Sequence, residues 1–337
     1  MNTDRRSRLR LYLCLSALIW GFLFSCGCDR SPTSEVVLYT SVDQPYAEPI
    51  VREFEKQTGI HVRLVTDTEA SKSVGLAERL RAEKANPQCD VWWGNEPFNT
   101  INLADEGLLQ PYESPSAKDV TPMYVDPEHR WAGNGLRARM IAFSDWNAAT
   151  LVGDGLEGLT NARLKGKIAM ARPTAGTTGG HVAALWILWG EPKAVAFFQA
   201  LRANDIRLLG GNGPVAEAVA ARTVWAGLTD NDDIANASQE NAKKISSVLP
   251  DQKSQGTLMI PTTVGLVTGS KNADAAKQLI DYLLSPGVEQ KMIDAKFAGW
   301  SVRKPNDVKA MQVDYHKVAQ AMPEAIRRAT AILEGRE

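Results

Sequence analysis

Three aspartates crowd into four residues of the stretch GLTDNDDIANA (Gly227–Ala237): Asp230, Asp232 and Asp233. Like charges this close repel, and Asp and Asn favour turns, so the cluster is either a solvated turn or a set of ligands aimed at a positive centre. Three other stretches carry complementary chemistry. TSVDQ offers Ser41 and Asp43, WWGNEP offers Asn95 and Glu96, and PTAGTTGG (173–180) presents Ala175, Gly176 and Thr177 as bare backbone donors at a helix start, a ready anion site. Turn chemistry explains any of these singly. It explains less well why polar groups gather in several turns of one chain. Side-chain acceptors predominate while the Gly/Thr loop donates, a mixture that suits a metal cation with its counter-anion or an ammonium-bearing zwitterion. Arg137 and Arg139, two apart on a strand, share a face and suit either a carboxylate or phosphate grip or a surface salt bridge.

Signatures of covalent and metal catalysis are missing: no GxSxG, HExxH, GxxxxGK[ST] or strand-linked GxGxxG occurs. The four histidines, His61, His129, His181 and His316, are scattered, which argues against a multi-histidine zinc cage. His181 reads as a capped or surface residue near a helix start. A formal net charge of −1 with 23% charged residues leaves no nucleic-acid footprint. No resident cofactor is expected; a metal ion enters only as cargo.

The elements that must position these residues alternate. EVVLYT (35–40) reads as a buried strand, followed by a helix with Ala47, Ile50, Val51 and Phe54 on one face and Gly59 at its end. HVRLVT (61–66), a helix across SVGLAERLRAEKA, the strand CDVWWG (89–94) and a helix over 98–107 complete a strand–helix repeat, hence an α/β lobe with a mostly parallel sheet. Functional turns then belong at the strands' C-terminal ends. GLRARMIAFS (135–144) reads as a strand crossing to a second lobe. That lobe repeats the pattern from KGKIAMARP (165–173) through DIRLLGGNGPVAEAVAARTVWAGL, where Asn212 is expected to cap a helix with Pro214 in its first turn. GTLMIPTTVGLVTG (256–269) returns to the first lobe. Alternation puts at least one of Trp92 and Trp93 in the core, WILWG (186–190) reads as a buried helix face, and RRATAILEGRE reads as a solvated terminal helix.

The amino end has the pattern of an export signal. MNTDRRSRLR is basic and LYLCLSALIWGFLF is apolar but short of a comfortable span, so residues 1–25 are expected to be removed. LFSCGCDR resembles a lipobox, with Cys26 as the acylated residue and Cys28 as its rival. The signal carries four arginines and one aspartate, so the mature chain would stand near −4. Too few cysteines remain for a disulfide framework, and Cys89 is expected to be buried and inert.

With these segments in place, VVLYTSVDQPYAEPIVREFEKQTGIHV resembles the mature start of periplasmic solute-binding proteins of bacterial ABC importers. DVWWGNEPFNTINLADEGLLQPY, WAGNGLRARMIAFS and GTLMIPTTVGLVTGSKNADAAKQLIDYLLSPGVEQ resemble that family's third-strand, hinge-strand and return segments. The similarity runs through residues 35–300 and is closest to the ferric-ion-binding group. It implies a two-lobed type 2 periplasmic-binding fold with a two-strand hinge, lobe 1 from 35–135 plus 265–300, lobe 2 from 136–264, and a helical segment at 301–337. It also implies an anion loop at Ala175, Gly176 and Thr177, with Asn212, Asn95 or Glu96, and Arg137 at the ligand. The group's iron-binding tyrosine pair falls on Asp232 and Asp233, and a first-strand histidine position on Asp43.

The expectation is therefore an exported, lipid-anchored, monomeric binding protein that hands a solute to a membrane permease and its ATPase. Ferric iron or another hard cation on Asp230, Asp232 and Asp233 leads, with an organic cation or zwitterion (polyamine, thiamine, aminophosphonate) close behind. A metal-dependent extracytoplasmic hydrolase and a sensory adaptor on the same fold are the rivals.

Overall fold

A computed structural model describes residues 35–67, 74–240 and 245–337; the signal and lipidation expectations at residues 1–28 lie outside the described residues. EVVLYT forms β1 (Glu35–Thr40) and turns into α1 (Gln44–Thr58). Pro45 presets the helical φ of the first turn, and Gly59, at φ 73°, ends the helix in the left-handed region that a residue without Cβ enters without strain. The buried face is Ala47, Ile50, Val51 and Phe54, as the spacing predicts. There follow β2 (His61–Thr66), α2 (Gly75–Ala82), β3 (Val91–Gly94), α3 (Pro97–Asp105), β4 (Leu109–Gln110) and the long β5 (Ala132–Phe143). The second half adds α4 (Trp146–Val152), β6 (Ile168–Ala171), α5 (Gly176–Trp189), α6 (Glu191–Ala203), β7 (Arg207–Leu209), α7 (Asn212–Ala220), β8 (Ala226–Asp230), α8 (Asn231–Glu240) and β9 (Ser246–Val248). The chain returns through β10 (Met259–Val267) to α9 (Ala273–Leu283), α10 (Pro286–Asp294) and α11 (Tyr315–Leu333).

The strands run in the order β2-β1-β3-β10-β5-β8-β6-β7, with β4 on β10 and β9 on β5. β2, β1 and β3 are mutually parallel, as are β8, β6 and β7. Between these blocks β10 and β5 pair antiparallel to each other and to their outer neighbours. β5 bonds β10 over Ala132–Ala138 and β8 over Arg139–Phe143, so one continuous strand belongs to both sheets. This is the two-lobed type 2 periplasmic-binding architecture that the family resemblance implies. Where the pairing changes over, Gly135 sits at φ 74° and the register of β10 slips between Pro261 and Thr263. Irregularities on both crossing strands at one level loosen the ladder there.

Successive side chains of β1 face opposite ways, and both sides are covered. Val36 and Leu38 join Trp93 beneath α1, α9 and α10, while Val37 and Tyr39 join Trp92 beneath α2 and α3. Both tryptophans are therefore core. Burial on two faces is what a parallel sheet requires, and it excludes a ligand-stacking role for either ring.

The terminal helix departs from expectation. α11 is not a solvated appendage: Val318, Ala319, Met322, Ala325, Ala329 and Ile332 repeat at helical spacing and are buried against α3, α5 and α6. α5 meets it through small residues. A Cβ on Gly179 would lie 2.8 Å from Ile326 Cδ1, and one on Gly180 would lie 1.9 Å from the Phe98 ring of α3. The aspartate cluster also differs from the turn reading: Asp230 ends β8, while Asp232 and Asp233 occupy the first turn of α8. Acids are favoured there, because a helix N-terminus carries partial positive charge.

Candidate functional site

The strands of both lobes end their C-terminal tips on one cleft. At its centre Asp230 (1% exposed) and Asp232 (2%) meet two guanidiniums carried by β5. Arg139, with no exposed surface, donates from Nη1 to Asp230 Oδ1 at 2.6 Å and to Asn212 Oδ1 at 3.0 Å. Arg137 donates from Nη1 to Asp232 Oδ2 at 2.9 Å, lies 3.5 Å from Asp230 Oδ2, and donates from Nη2 to the Asn95 carbonyl at 2.6 Å. The shared face that alternation predicts for the two arginines is thus the inward one. Their partners stand 91 and 95 residues downstream.

Electrostatics follow from this pairing. Burial alone would raise the Asp230 carboxyl, but Arg139 and Arg137, with the Thr177 hydroxyl, outweigh it and hold Asp230 below the usual carboxylate range. Burial likewise opposes the Arg137 charge, and Asp232, Asp230 and Asp233 outweigh it, so the guanidinium stays charged. Behind them His181 is 1% exposed; burial first, then the Arg139 charge, lower it to about 3. The capped or surface role expected of His181 is replaced by that of a neutral, buried ring.

A cavity of about 470 Å³ opens beside this cluster, lined by Asn95, Arg137 and Asp233 and by the starts of α5 and α7. Both helices begin without a side-chain cap or a first-turn acid, so their leading N–H groups and positive dipole ends are available to a ligand. Arg172 adds a second guanidinium to the wall. Asn212, expected as a cap, is the first helical residue of α7, with Gly211 at the cap position. Its amide instead donates to Asp230 Oδ2 (3.1 Å) and Thr177 Oγ1 (2.9 Å), and its oxygen accepts from Thr178 (3.0 Å). Thr177 donates to Asp230 Oδ2 at 2.7 Å. Asp230 therefore knits the two helix starts into one rigid cradle.

The first lobe supplies the opposite wall. Ser41 donates to Asn95 Oδ1 at 3.0 Å and accepts from the Asn95 N–H at 2.9 Å, fixing the tips of β1 and β3. A second cavity, about 670 Å³, is lined by Ser41, Asp43, Tyr46 and Asp67 from this lobe and by Asn236 and Glu240 of α8. Tyr46 donates to Asn236 across the cleft; burial, then Asp232, raise its phenol to about 12, so it is protonated at neutral pH. Glu96 turns away. It caps α3, accepting from the N–H groups of Phe98 (2.6 Å) and Asn99 (3.2 Å).

Of the residues singled out in the sequence, Asp43, Asn95, Arg137, Ala175, Gly176, Thr177, Asn212, Asp230 and Asp233 line one or other cavity, joined by Ser41. Asp232 backs the wall through Arg137, and Glu96 serves the fold. Sequence reasoning misses Tyr46, Asp67, Thr178 and Arg172. Tyr46 and Arg172 had a usable signal, since each lies within a few residues of a predicted strand's C-terminal end.

Residues 35–295 match the family model of bacterial extracellular solute-binding proteins. Iron uptake protein A1 of Synechocystis sp. is 24% identical over 303 residues, 84% of this chain and 82% of that protein. A putative 2-aminoethylphosphonate-binding periplasmic protein of Salmonella typhimurium is 24% identical over 290 residues, 84% and 77% respectively. Among solved structures, the ferric binding protein from Campylobacter jejuni superposes with a TM-score of 0.79 at 22% identity, covering 88% of this chain and 99% of that one. With the two-lobed fold, a cleft built from strand tips and a family model spanning most of its length, the chain belongs to the bacterial extracellular solute-binding protein family, whose members bind solutes rather than turn them over.

Proposed function

We propose that this chain is the solute-capturing component of an ABC importer, and that its solute is a small zwitterion with a phosphonate- or phosphate-type anion and an amine. One observation carries the reading: the cleft is polarised. Two uncapped helix starts face one cavity, where the charges of Arg137 and Arg172 are matched by Asp230 and Asp233 and the backbone donors tip the balance toward an anion, while a second cavity is walled by Asp43, Asp67 and Glu240 with no basic side chain among its described lining residues. An anion is favoured in the first and an ammonium in the second. A relative named as a putative 2-aminoethylphosphonate binder supports the same chemistry. Contacts that both lobes make only when closed on the solute would favour closure, after which a membrane permease receives it. Lobes of 35–135 plus 265–300 and of 136–264 agree with the irregular pairing at Gly135 and at Pro261–Thr263, and a lipid on Cys26 or Cys28 would keep the protein at the envelope membrane.

A second reading, a hard metal ion carried with a companion anion, has its own support: oxygens of Asp230, Asp232 and Asp233 lie within 4.8 Å of one another, and a relative is named for iron uptake. Thermal-shift titration of the chelator-stripped protein separates the two. A ligand at a hundredfold its Kd adds about 2.7 kcal/mol of stability. 2-Aminoethylphosphonate should raise Tm, and ethylphosphonate, lacking the amine, should bind about 10- to 100-fold more weakly, the worth of a charge-assisted hydrogen bond. Stabilisation by ferric citrate or Mn²⁺ alone would overturn the zwitterion reading in favour of the metal.

A further inference from the structure

We propose that Arg137 is a built-in cation that sets which solutes this cleft accepts: its guanidinium occupies the seat between Asp230 and Asp232 that a hard metal ion would need. The inference rests on reading the interlobe cleft as the solute site, and it adds the residue that decides between the two classes of cargo.

The carboxylate triad has the spacing of a cation site, with one oxygen from each aspartate inside 4.8 Å. Hard cations draw such oxygens to about 2.3–2.6 Å. The positive group at that place is Arg137 Nη1, 2.9 Å from Asp232 Oδ2 and 3.5 Å from Asp230 Oδ2. No ion can share that position with a guanidinium nitrogen. Asp230 is further committed at both oxygens, because Arg139 holds Oδ1 at 2.6 Å while Thr177 and Asn212 hold Oδ2.

Arg137 is not a mobile surface side chain that an incoming ion could push aside. It is 3% exposed, its Nη2 is tied to the Asn95 carbonyl at 2.6 Å, and its guanidinium lies 5.2 Å from the Phe297 ring centroid. Expelling it would bury a charge without a partner elsewhere or force the cleft open. A solute ammonium, by contrast, has Asp43, Asp67 and Glu240 in the second cavity and leaves the seat undisturbed. Arg137 thus makes the triad unavailable to a bare ion while leaving its own positive charge on the wall of the anion cavity.

Isothermal titration of the full chain with Mn²⁺ and Tb³⁺ tests this. Arg137→Gln and Arg137→Met should bind both ions at least 100-fold more tightly than the unaltered protein, Arg137→Lys should not, and Asp233→Asn in the Arg137→Gln background should abolish the gain. Folded neutral variants, verified by circular dichroism, that gain no metal affinity would overturn the proposal. So would micromolar metal binding by the unaltered protein that Asp233→Asn removes, an arm that needs no Arg137 variant to fold. Failure of the cleft reading itself shows separately, as absence of stabilisation of the unaltered protein by either class of ligand.

Discussion

Arg139 offers the sharpest test of the charge network, because it is wholly buried and lines neither of the two cavities described above. Arg139→Met keeps much of the volume and removes the charge. Asp230, 1% exposed, then retains Thr177, Asn212 and an Arg137 nitrogen 3.5 Å away. Removing one partner of a buried ion pair costs about 3–5 kcal/mol. The remaining partners place this case at the lower end. Unfolding entropy near 2.1 cal/mol/K per residue over roughly 300 residues gives about 0.6 kcal/mol per degree, so a loss of ~3 kcal/mol lowers Tm by about 5 °C. The pH dependence carries the diagnosis. In the unaltered protein the folded Asp230 is held below its unfolded value, so its contribution is complete above about pH 4 and is lost only as pH falls through the lowered folded value. Removing Arg139 takes away the largest charge that offsets burial, so the folded value moves up, and the penalty shrinks as pH falls and Asp230 takes a proton. The Tm deficit should narrow between pH 7 and pH 5, and Asp230→Asn in the Arg139→Met background should recover part of it. Losing the Arg139 charge also eases protonation of His181, so the series is best run in a His181→Gln background. A deficit unchanged from pH 7 to pH 5 and merely additive with Asp230→Asn would refute the reasoning.

Other expectations are briefer. Glu96→Ala should cost about 1–3 kcal/mol in chemical denaturation by stripping the buried Phe98 N–H and the part-buried Asn99 N–H of their acceptor, whereas Glu96→Gln should leave solute affinity unchanged; a large affinity loss in the glutamine variant would return Glu96 to the ligand set. Gly180→Ala drives a methyl to within 1.9 Å of the Phe98 ring and should destabilise by about 1–3 kcal/mol, with partial rescue by Phe98→Leu; an unchanged Tm would show that α5 and α3 are not closely packed. Tyr46→Phe removes the hydrogen bond to Asn236 across the cleft and should weaken solute binding several-fold with a larger radius of gyration by small-angle scattering; unchanged values would exclude an interlobe link there. His181 folds neutral with its pKa near 3, below the unfolded value, so its contribution is full above about pH 6.5 and lost as pH falls toward 3; acid titration of Tm should flatten in His181→Gln.

How far the sequence reveals this site depends on the range of each interaction. The face of α1 and its Gly59 terminus are local patterns, and both are legible. The aspartates stand out because three acids in four residues are conspicuous, but what they pair with lies on β5, 91 to 95 residues away, and no periodicity announces that distance. Asn212 shows the same limit. A polar residue before a helix is expected to cap it, yet the tertiary pull of Asp230 and Thr177 takes its side chain while Gly211 stands at the cap. His181 reads as polar and therefore exposed, whereas the glycines and alanines around it let α5 sink between α3 and α11 and carry the ring inside. For α11 the signal is present and long: buried residues recur from Tyr315 to Leu333, but in its last stretch, RRATAILEGRE, three arginines and two glutamates mask the period.

A cluster of two buried guanidiniums and three carboxylates is a poor device for stability, since well-packed apolar residues of equal volume do as well or better. Its value lies in stiffness. Every hydrogen bond around Asp230 also fixes a group that walls the cleft: Thr177 and Asn212 hold the starts of α5 and α7, and Arg139 ties both to β5. The N–H groups that await the solute anion are therefore oriented before it arrives, which spares the ordering entropy that flexible side chains would lose on binding. α5 is seated from behind as well by α11, whose Ile326 Cδ1 lies 2.8 Å from where a Cβ on Gly179 would stand. What remains free to move is the pairing of β5 with β10 at Gly135 and Pro261–Thr263. Opening would then separate the acidic wall at Asp43 and Asp67 from α8 while leaving the cradle intact, so the anion should dock first and the amine should be gripped only on closure.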